Sequence, residues 1–185
     1  MLTKSEAMSL VRDYDFLRRT NSCRSTRYSN SEFPNCGRCL GCLVRRISFI
    51  VAGIEEGIDD PYALDVFVQG EGENVRGRGK RWIVGKKSSS DLFQILNFAD
   101  SVLRDSISST SATKIDDYNL RELFLRFSLD VMASAYLLYD NRKIGRNHIV
   151  KEIYYNLKTE KLIDIAMLER RISEVRNGKF TPTFK

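Results

Sequence analysis

The chain has 185 residues, 42% of them hydrophobic, which is enough apolar material for a packed core and fits one or two small domains. Thirty Lys and Arg against 24 Asp and Glu leave a formal charge of +6, which permits an anionic partner without requiring one. No apolar run approaches the ~20 residues that span a bilayer, and the opening MLTKSEAMSLVRDYDFLRR is amphipathic and charged rather than secretory, so a cytoplasmic protein with no membrane partner is expected.

From Ser5 to about Arg18, the residues Ala7, Met8, Leu10, Val11, Tyr14 and Leu17 recur at helical spacing and predict one amphipathic helix leading towards Cys23. Residues 21–38, NSCRSTRYSNSEFPNCGR, have loop composition and no apolar period, so something other than a hydrophobic core must order them. After Gly37, the spacing of Leu40, Leu43, Val44, Ile47, Ile50 and Val51 predicts a second helix with Cys42 in its first turn and its end at Gly53. Asp59, Asp60 and Pro61 predict a turn. LDVFVQ and RWIVG are short, β-branched and aromatic, and they flank GEGENVRGRGK, which predicts a β-hairpin with a long loop.

From Ser90 onwards the pattern is helical. Leu92, Ile95, Leu96, Ala99, Val102 and Leu103 share one face after a Ser-rich start suited to capping, and SISSTSATKIDD reads as a linker. Asp117 is expected to cap a long helix whose stripe is Leu120, Leu123, Phe124, Phe127, Val131, Ala135 and Leu138. A break at Asn141 to Gly145 precedes a short helix around Ile149, Ile153 and Leu157. Thr159 is expected to cap a last one through Ile165, Leu168, Ile172 and Val175, with Gly178 at its end. The aromatic residues Phe124, Phe127, Tyr136, Tyr139, Tyr154 and Tyr155 read as packing. The expected fold class is therefore mainly α: a metal-ordered loop and helix module over 1–63, a short basic β-hairpin over 64–89 and a small helical bundle over 90–185, with no internal repeat.

The chemistry lies in Cys23, Cys36, Cys39 and Cys42, the four cysteines of the chain. Three of them are spaced Cys36-x2-Cys39-x2-Cys42, which suits one metal ion better than disulfides, and Cys23 completes a set of four thiolates by closing the polar loop. Four thiolates with no neighbouring His or carboxylate predict a closed structural zinc site. The rival is an iron-sulfur cluster, because C-x2-C-x2-C also opens the bacterial ferredoxin run, but that run continues x3-C-P where this chain continues LVRRIS after Cys42.

The segment TNSCRSTRYSNSEFPNCGRCLGCLVRRISFIVAGIEEGIDDP resembles the C-terminal zinc segment of the 7-cyano-7-deazaguanine synthase family, in which a T-x-S-C opening is followed by CGxCxxCxxR, a helix ending in A-G, and D-P. The matching residues are Thr20, Ser22, Cys23, Cys36, Gly37, Cys39, Cys42, Arg45, Ala52, Gly53, Asp60 and Pro61, and Lys4 with Glu6 resembles the family's T-K-x-E opening. The resemblance covers residues 3–61, and the twelve residues between the first two cysteines exceed the family's usual number. It implies the end of an α/β ATP-pyrophosphatase-type domain and an ATP-dependent ligase that turns the carboxylate of 7-carboxy-7-deazaguanine into an amide and then a nitrile, in queuosine-type or phage-defence settings. The family's SGGxDS ATP loop is absent from the sequence, so ATP would have to come through a partner domain or subunit, with this chain a fragment, a truncated copy or one half of a split enzyme.

Other residues carry competing readings. Lys4 either reaches a nucleotide site or is a solvated helix-start lysine; Arg45 and Arg46 either meet an anion or the thiolates, or are solvated. Arg76, Arg78, Lys80, Arg81, Lys86 and Lys87, with no acid among them and Trp82 between, could contact nucleic acid or a nucleotide, or form a solvated loop. His148 has no partner at ligand or triad spacing, and catalytic residues are not identifiable. The alternative to the ligase reading is a non-enzymatic zinc-stabilised nucleic-acid-binding or adaptor protein.

Overall fold

In a computed structural model of the chain, the described residues are 1–11, 13–20, 22–23, 35–55, 62, 64, 66–67, 74–77, 80–83, 90–107, 118–140 and 148–180. They form seven helices and one two-stranded antiparallel hairpin: α1 (Lys4–Ser9), α2 (Tyr14–Arg19), α3 (Leu40–Ala52), β1 (Asn74–Gly77), β2 (Lys80–Ile83), α4 (Ser90–Ile107), α5 (Tyr118–Asp140), α6 (His148–Thr159) and α7 (Ile165–Arg176). The fold is mainly helical, as the periodicity predicts. The turn at Asp59 to Pro61, most of the linker with Asp117, and the break at Asn141 to Gly145 lie outside the described residues.

The helix expected over Ser5 to Arg18 is two helices. The Asp13 carboxylate accepts the Phe16 N–H at 2.8 Å, so a new helix starts there, and a short polar side chain that caps competes with continuation of the helix before it. α1 opens with a reciprocal capping box: Thr3 Oγ1 accepts the Glu6 N–H, and the Glu6 carboxylate accepts the Thr3 N–H at 2.8 Å. The expected strand LDVFVQ is also corrected. Val66 and Phe67 sit in a turn and are buried in the main core, whereas the hairpin is built from NVRG and KRWI, so the predicted long loop supplies the first strand.

α5 is the central helix, and α3, α4, α6 and α7 pack around it. Its buried positions run without interruption from Ser128 to Ala135, and Leu120, Leu123, Phe124 and Phe127 of the expected stripe are only partly covered. A helix surrounded on several sides has no single apolar stripe, so a one-sided pattern misplaces its core positions. Phe98 of α4 meets Phe124 edge to face at 5.3 Å. The expected face of α4 is buried as predicted, with Val102 partly covered.

One apolar cluster joins Leu43, Ile47 and Val51 of α3 to Leu64, Val66 and Phe67 and to the inner faces of α4 to α7. The cysteine-bearing part of the chain therefore shares its core with the helical bundle. A second, smaller cluster of Met8, Leu17, Phe49 and Ile54 holds α1 and α2 on the other side of α3.

Helix ends are closed by specific bonds. α3 stops at Gly53, which is left-handed (φ 72°), and the Gly53 and Ile54 N–H groups return to Ile50 and Phe49. α7 closes in the same way, with Gly178 N–H on Val175 and Lys179 N–H on Glu174, as expected for Gly178. Its start differs from expectation: Thr159 ends α6, and Asp164 caps α7 by accepting the Met167 N–H at 2.6 Å. Asp is a stronger cap than Thr and lies next to the first helical residue, so it wins.

The least anticipated feature is a buried charge network. Glu6 and Asp130 are both 0% exposed, and they are bridged by Arg171. Arg171 Nε lies 2.7 Å from Asp130 and its Nη1 lies 2.8 Å from Glu6. Arg126 donates to both oxygens of Glu6 at 2.7 and 2.8 Å and to the Met1 carbonyl at 2.7 Å. α1 is thus fastened to α5 and α7 through charges rather than through apolar contact alone.

Candidate metal centre

The four cysteines converge. Cys23 follows α2, Cys36 and Cys39 lie in the turn before α3, and Cys42 is in the first turn of α3; their sulfurs all lie within 4.8 Å of one another. Cys36 and Cys42 are buried, and Cys23 and Cys39 are partly covered. Thiolates tetrahedral about one ion at ~2.3 Å stand about 3.8 Å apart. The Cys36–Cys42 and Cys39–Cys42 separations are 3.8 and 3.5 Å, which fits that figure and is far from a disulfide. These four residues can hold one metal ion.

The surroundings explain how the loop reaches this geometry. Gly37 is left-handed (φ 74°), and a Cβ there would stand 1.6 Å from the Leu64 carbonyl oxygen. Asn35 forms a parallel bridge with Tyr62, so the strand of chain carrying Cys36 is laid along the segment that enters the main core at Leu64. Gly41 is packed against Ser22, where a Cβ would stand 2.1 Å from a backbone oxygen. Cys39 is the N-cap residue of α3 but makes no side-chain capping bond, and the exposed start of the helix is satisfied instead by Asp91 of α4, which accepts the Leu40 N–H at 3.1 Å.

Arg45 is the residue whose surroundings depart most from the solvated reading. It is 0% exposed; its Nη1 donates to the Leu17 carbonyl at 3.1 Å, to the Thr20 carbonyl at 2.6 Å and to Thr20 Oγ1 at 2.7 Å. Its guanidinium lies 4.4 Å from the centre of the Phe49 ring. A cation on the last carbonyls of α2 complements the negative end of that helix and fixes Thr20, three residues before Cys23. Arg45 therefore positions the fourth sulfur without touching it. Arg46 is partly covered, with its guanidinium 5.6 Å from the Tyr62 ring.

Lys4 is half-buried. Its Nζ donates to Ser22 Oγ at 2.9 Å, and burial, helped by the nearby Arg45 charge, lowers its pKa. It fastens α1 to the residue before Cys23.

The Cys36 and Cys42 thiols are paired with each other at 3.8 Å. The bond from Cys42 lowers the Cys36 thiol to about 4, against the opposing effect of burial. The same bond, followed by burial, pushes the Cys42 thiol up. A divalent cation in place of the shared proton would favour both sulfurs as thiolates.

Of the basic residues singled out in the sequence, Arg76, Lys80 and Arg81 lie on the two strands, and Arg78, Lys86 and Lys87 lie outside the described residues. His148 opens α6. No described helix is long and apolar enough to cross a membrane. No family model, curated protein or solved structure matches this chain.

Gly41→Ala tests the close approach at the metal centre directly. The added methyl meets main chain that cannot rotate away, and overpacking of this kind costs about 1–3 kcal/mol. Metal affinity, measured by competition with a chromogenic chelator, is expected to fall roughly five- to 150-fold while α4 to α7 keep their helicity.

Proposed function

We propose that this chain is the zinc-bearing C-terminal region of a 7-cyano-7-deazaguanine synthase-like ATP-dependent ligase, of the queuosine type or a phage-defence relative, which works with an ATP-binding domain or subunit supplied by other sequence. The observation that carries this reading is the convergence of the residues on which the resemblance rests. Cys23, Cys36, Cys39 and Cys42 meet in one place, Gly37 supplies the turn between them, Thr20 is held by Arg45, and Lys4 is bonded to Ser22. Each of these residues thereby has a mechanical part in one knuckle, as expected if this part of the motif is a folding unit.

Zinc is the metal that best suits four sulfurs within 4.8 Å, because they enclose a single tetrahedral ion. A cluster of several irons would need its thiolates spread further apart. With four protein sulfurs the ion has no open position for water or substrate, so it holds the fold and performs no chemistry. Reduced thiols and a thiolate-bound zinc fit a cytoplasmic setting.

The test is reconstitution. Co-expression with an SGGxDS-bearing protein encoded beside this chain is expected to give a stable complex that releases pyrophosphate from ATP in the presence of 7-carboxy-7-deazaguanine and ammonium, when neither partner does so alone. A zinc-loaded chain that neither binds such a protein nor changes its turnover rejects the proposal, and iron in place of zinc by elemental analysis rejects the metal assignment.

A further inference from the structure

Four thiolates on one divalent ion carry negative charge in excess, and two of these sulfurs, Cys36 and Cys42, are buried. A buried charge is tolerated only where hydrogen bonds or opposite charges meet it. Main-chain N–H groups supply part of what is needed. That of Cys36 donates to the Cys23 sulfur at 3.4 Å, those of Arg38 and Cys39 donate to Cys36, and that of Gly37 donates to Cys42. Cys42 has a side-chain neighbour as well: the Asn35 amide oxygen, Oδ1, lies 4.0 Å from its sulfur.

Asn35 is built into this place by its backbone. It is fully buried, it directly precedes Cys36, and it bridges to Tyr62, two residues before Leu64 joins the main core. Its amide carries an acceptor at Oδ1 and donors at Nδ2. As a thiol, Cys42 donates to Oδ1, and 4.0 Å is the loose contact expected of so weak a donor. Bound to a metal, the same sulfur has no proton to give and becomes a charged acceptor. The amide oxygen would then repel it. The amide nitrogen exchanges places with the oxygen by a half-turn of the side chain, and it would donate instead. Bonds to a charged acceptor are shorter and about twice as strong as neutral ones.

We propose that Asn35 is a positioning residue of the metal centre: with a divalent ion bound, it turns its Nδ2–H to the Cys42 sulfur, draws charge from that thiolate and helps the knuckle retain the ion. This rests on the metal assignment and not on the ligase activity. Partners that hydrogen-bond to metal ligands in this way typically carry a factor of about 10–100 in metal affinity.

The full chain is titrated with cobalt(II), whose absorption reports a tetrahedral thiolate site, and with zinc in competition with a chromogenic chelator. Asn35→Leu and Asn35→Ala both remove the N–H donor but disturb packing in opposite ways, one filling the space and the other opening it. Each is expected to bind zinc about 10–100-fold more weakly than the parent. The cobalt d–d bands are expected to remain those of a tetrahedral ion. The sulfur-to-cobalt charge-transfer band is expected to move to lower energy, because a thiolate that loses a hydrogen-bond donor holds its electrons less tightly. A role in packing alone lowers affinity without moving that band in the same direction in both variants. A parent chain that takes up neither cobalt nor zinc overturns the metal assignment and this inference together. With a parent chain that does bind, three results overturn the inference alone: parent zinc affinity in either variant, a charge-transfer band that stays at the parent energy in a variant that loads cobalt, or complete loss of cobalt binding in both.

Discussion

Stripping the metal from the four thiolates is expected to lower the melting temperature by about 10–20 °C. Thiolate-rich zinc sites carry apparent binding free energies of ~10–16 kcal/mol, the same order as the whole stability of a domain this size. Here part of that energy offsets the cost of bringing together residues with no apolar period of their own, while Leu43, Ile47 and Val51 keep α3 packed in the main cluster. A net loss of about 5 kcal/mol follows, at roughly 2–4 °C per kcal/mol for a chain of this length. Hydrogen exchange should locate the damage: amides of α2, of Cys36 to Leu43 and of the α1 cap lose protection, and those of α4 and α5 retain it. Cys36→Ser and Cys42→Ser should reproduce the effect of chelation, since both sulfurs are buried. Identical melting with and without metal would show that the cluster is not a folding element.

The second large effect is expected at Arg171. Arg171→Met leaves Asp130 and Glu6, both fully buried, without one of their cations, and breaking a buried pair from one side costs about 3–5 kcal/mol. The loss should depend on pH in a defined direction. Burial already pushes the Asp130 carboxyl up, and Arg171 is the first of the influences that oppose it. With Arg171 gone, the folded pKa rises further above its unfolded value, so the proton is bound more tightly in the folded chain. A group shifted in that direction contributes stability below its unfolded pKa and loses it as pH rises through the folded one. The variant should therefore recover part of its deficit in urea melts as pH falls from neutrality towards the ordinary carboxylate range. Replacing Arg171 and Asp130 together by Met and Leu should cost less than Arg171→Met alone, because the remaining Glu6 still has Arg126 at 2.7 Å.

The parts of this fold that could be read from sequence are those where one residue type has one dominant physical use. Four cysteines at short spacing have one dominant use, to offer their sulfurs to a single metal ion, and they do converge; α4 follows its apolar period because one face meets the core. Gly53 and Gly178 end helices because their backbone is left-handed there. The parts that were hidden involve residues with two uses. Arg45 and Lys4 read as ordinary surface cations, yet the first closes the end of α2 and the second ties α1 to Ser22. Arg126, Asp130 and Arg171 look like the polar side of amphipathic helices. The available signal was Asp130 standing inside the run FSLDVMASAYLL with Arg126 four residues before it, a pair that burial on all sides of α5 turns inward. The hairpin register escaped because GEGENVRGRGK has loop composition, and only pairing with KRWI makes a strand of NVRG.

The fastening of α1 has a consequence for synthesis. Thr3 and Glu6 are made before Arg126 and Arg171, their partners in the network. At 5–20 residues per second, the interval before Arg171 emerges is on the order of ten seconds or more. During that time the nascent segment carries an unmatched carboxylate and four reduced thiols, and contacts this distant in sequence also close slowly because of the loop they must span. Metal capture by the nascent knuckle would shield the thiols while the chain waits, and the ribosome, rather than the finished protein, is where an oxidant would find them open to attack.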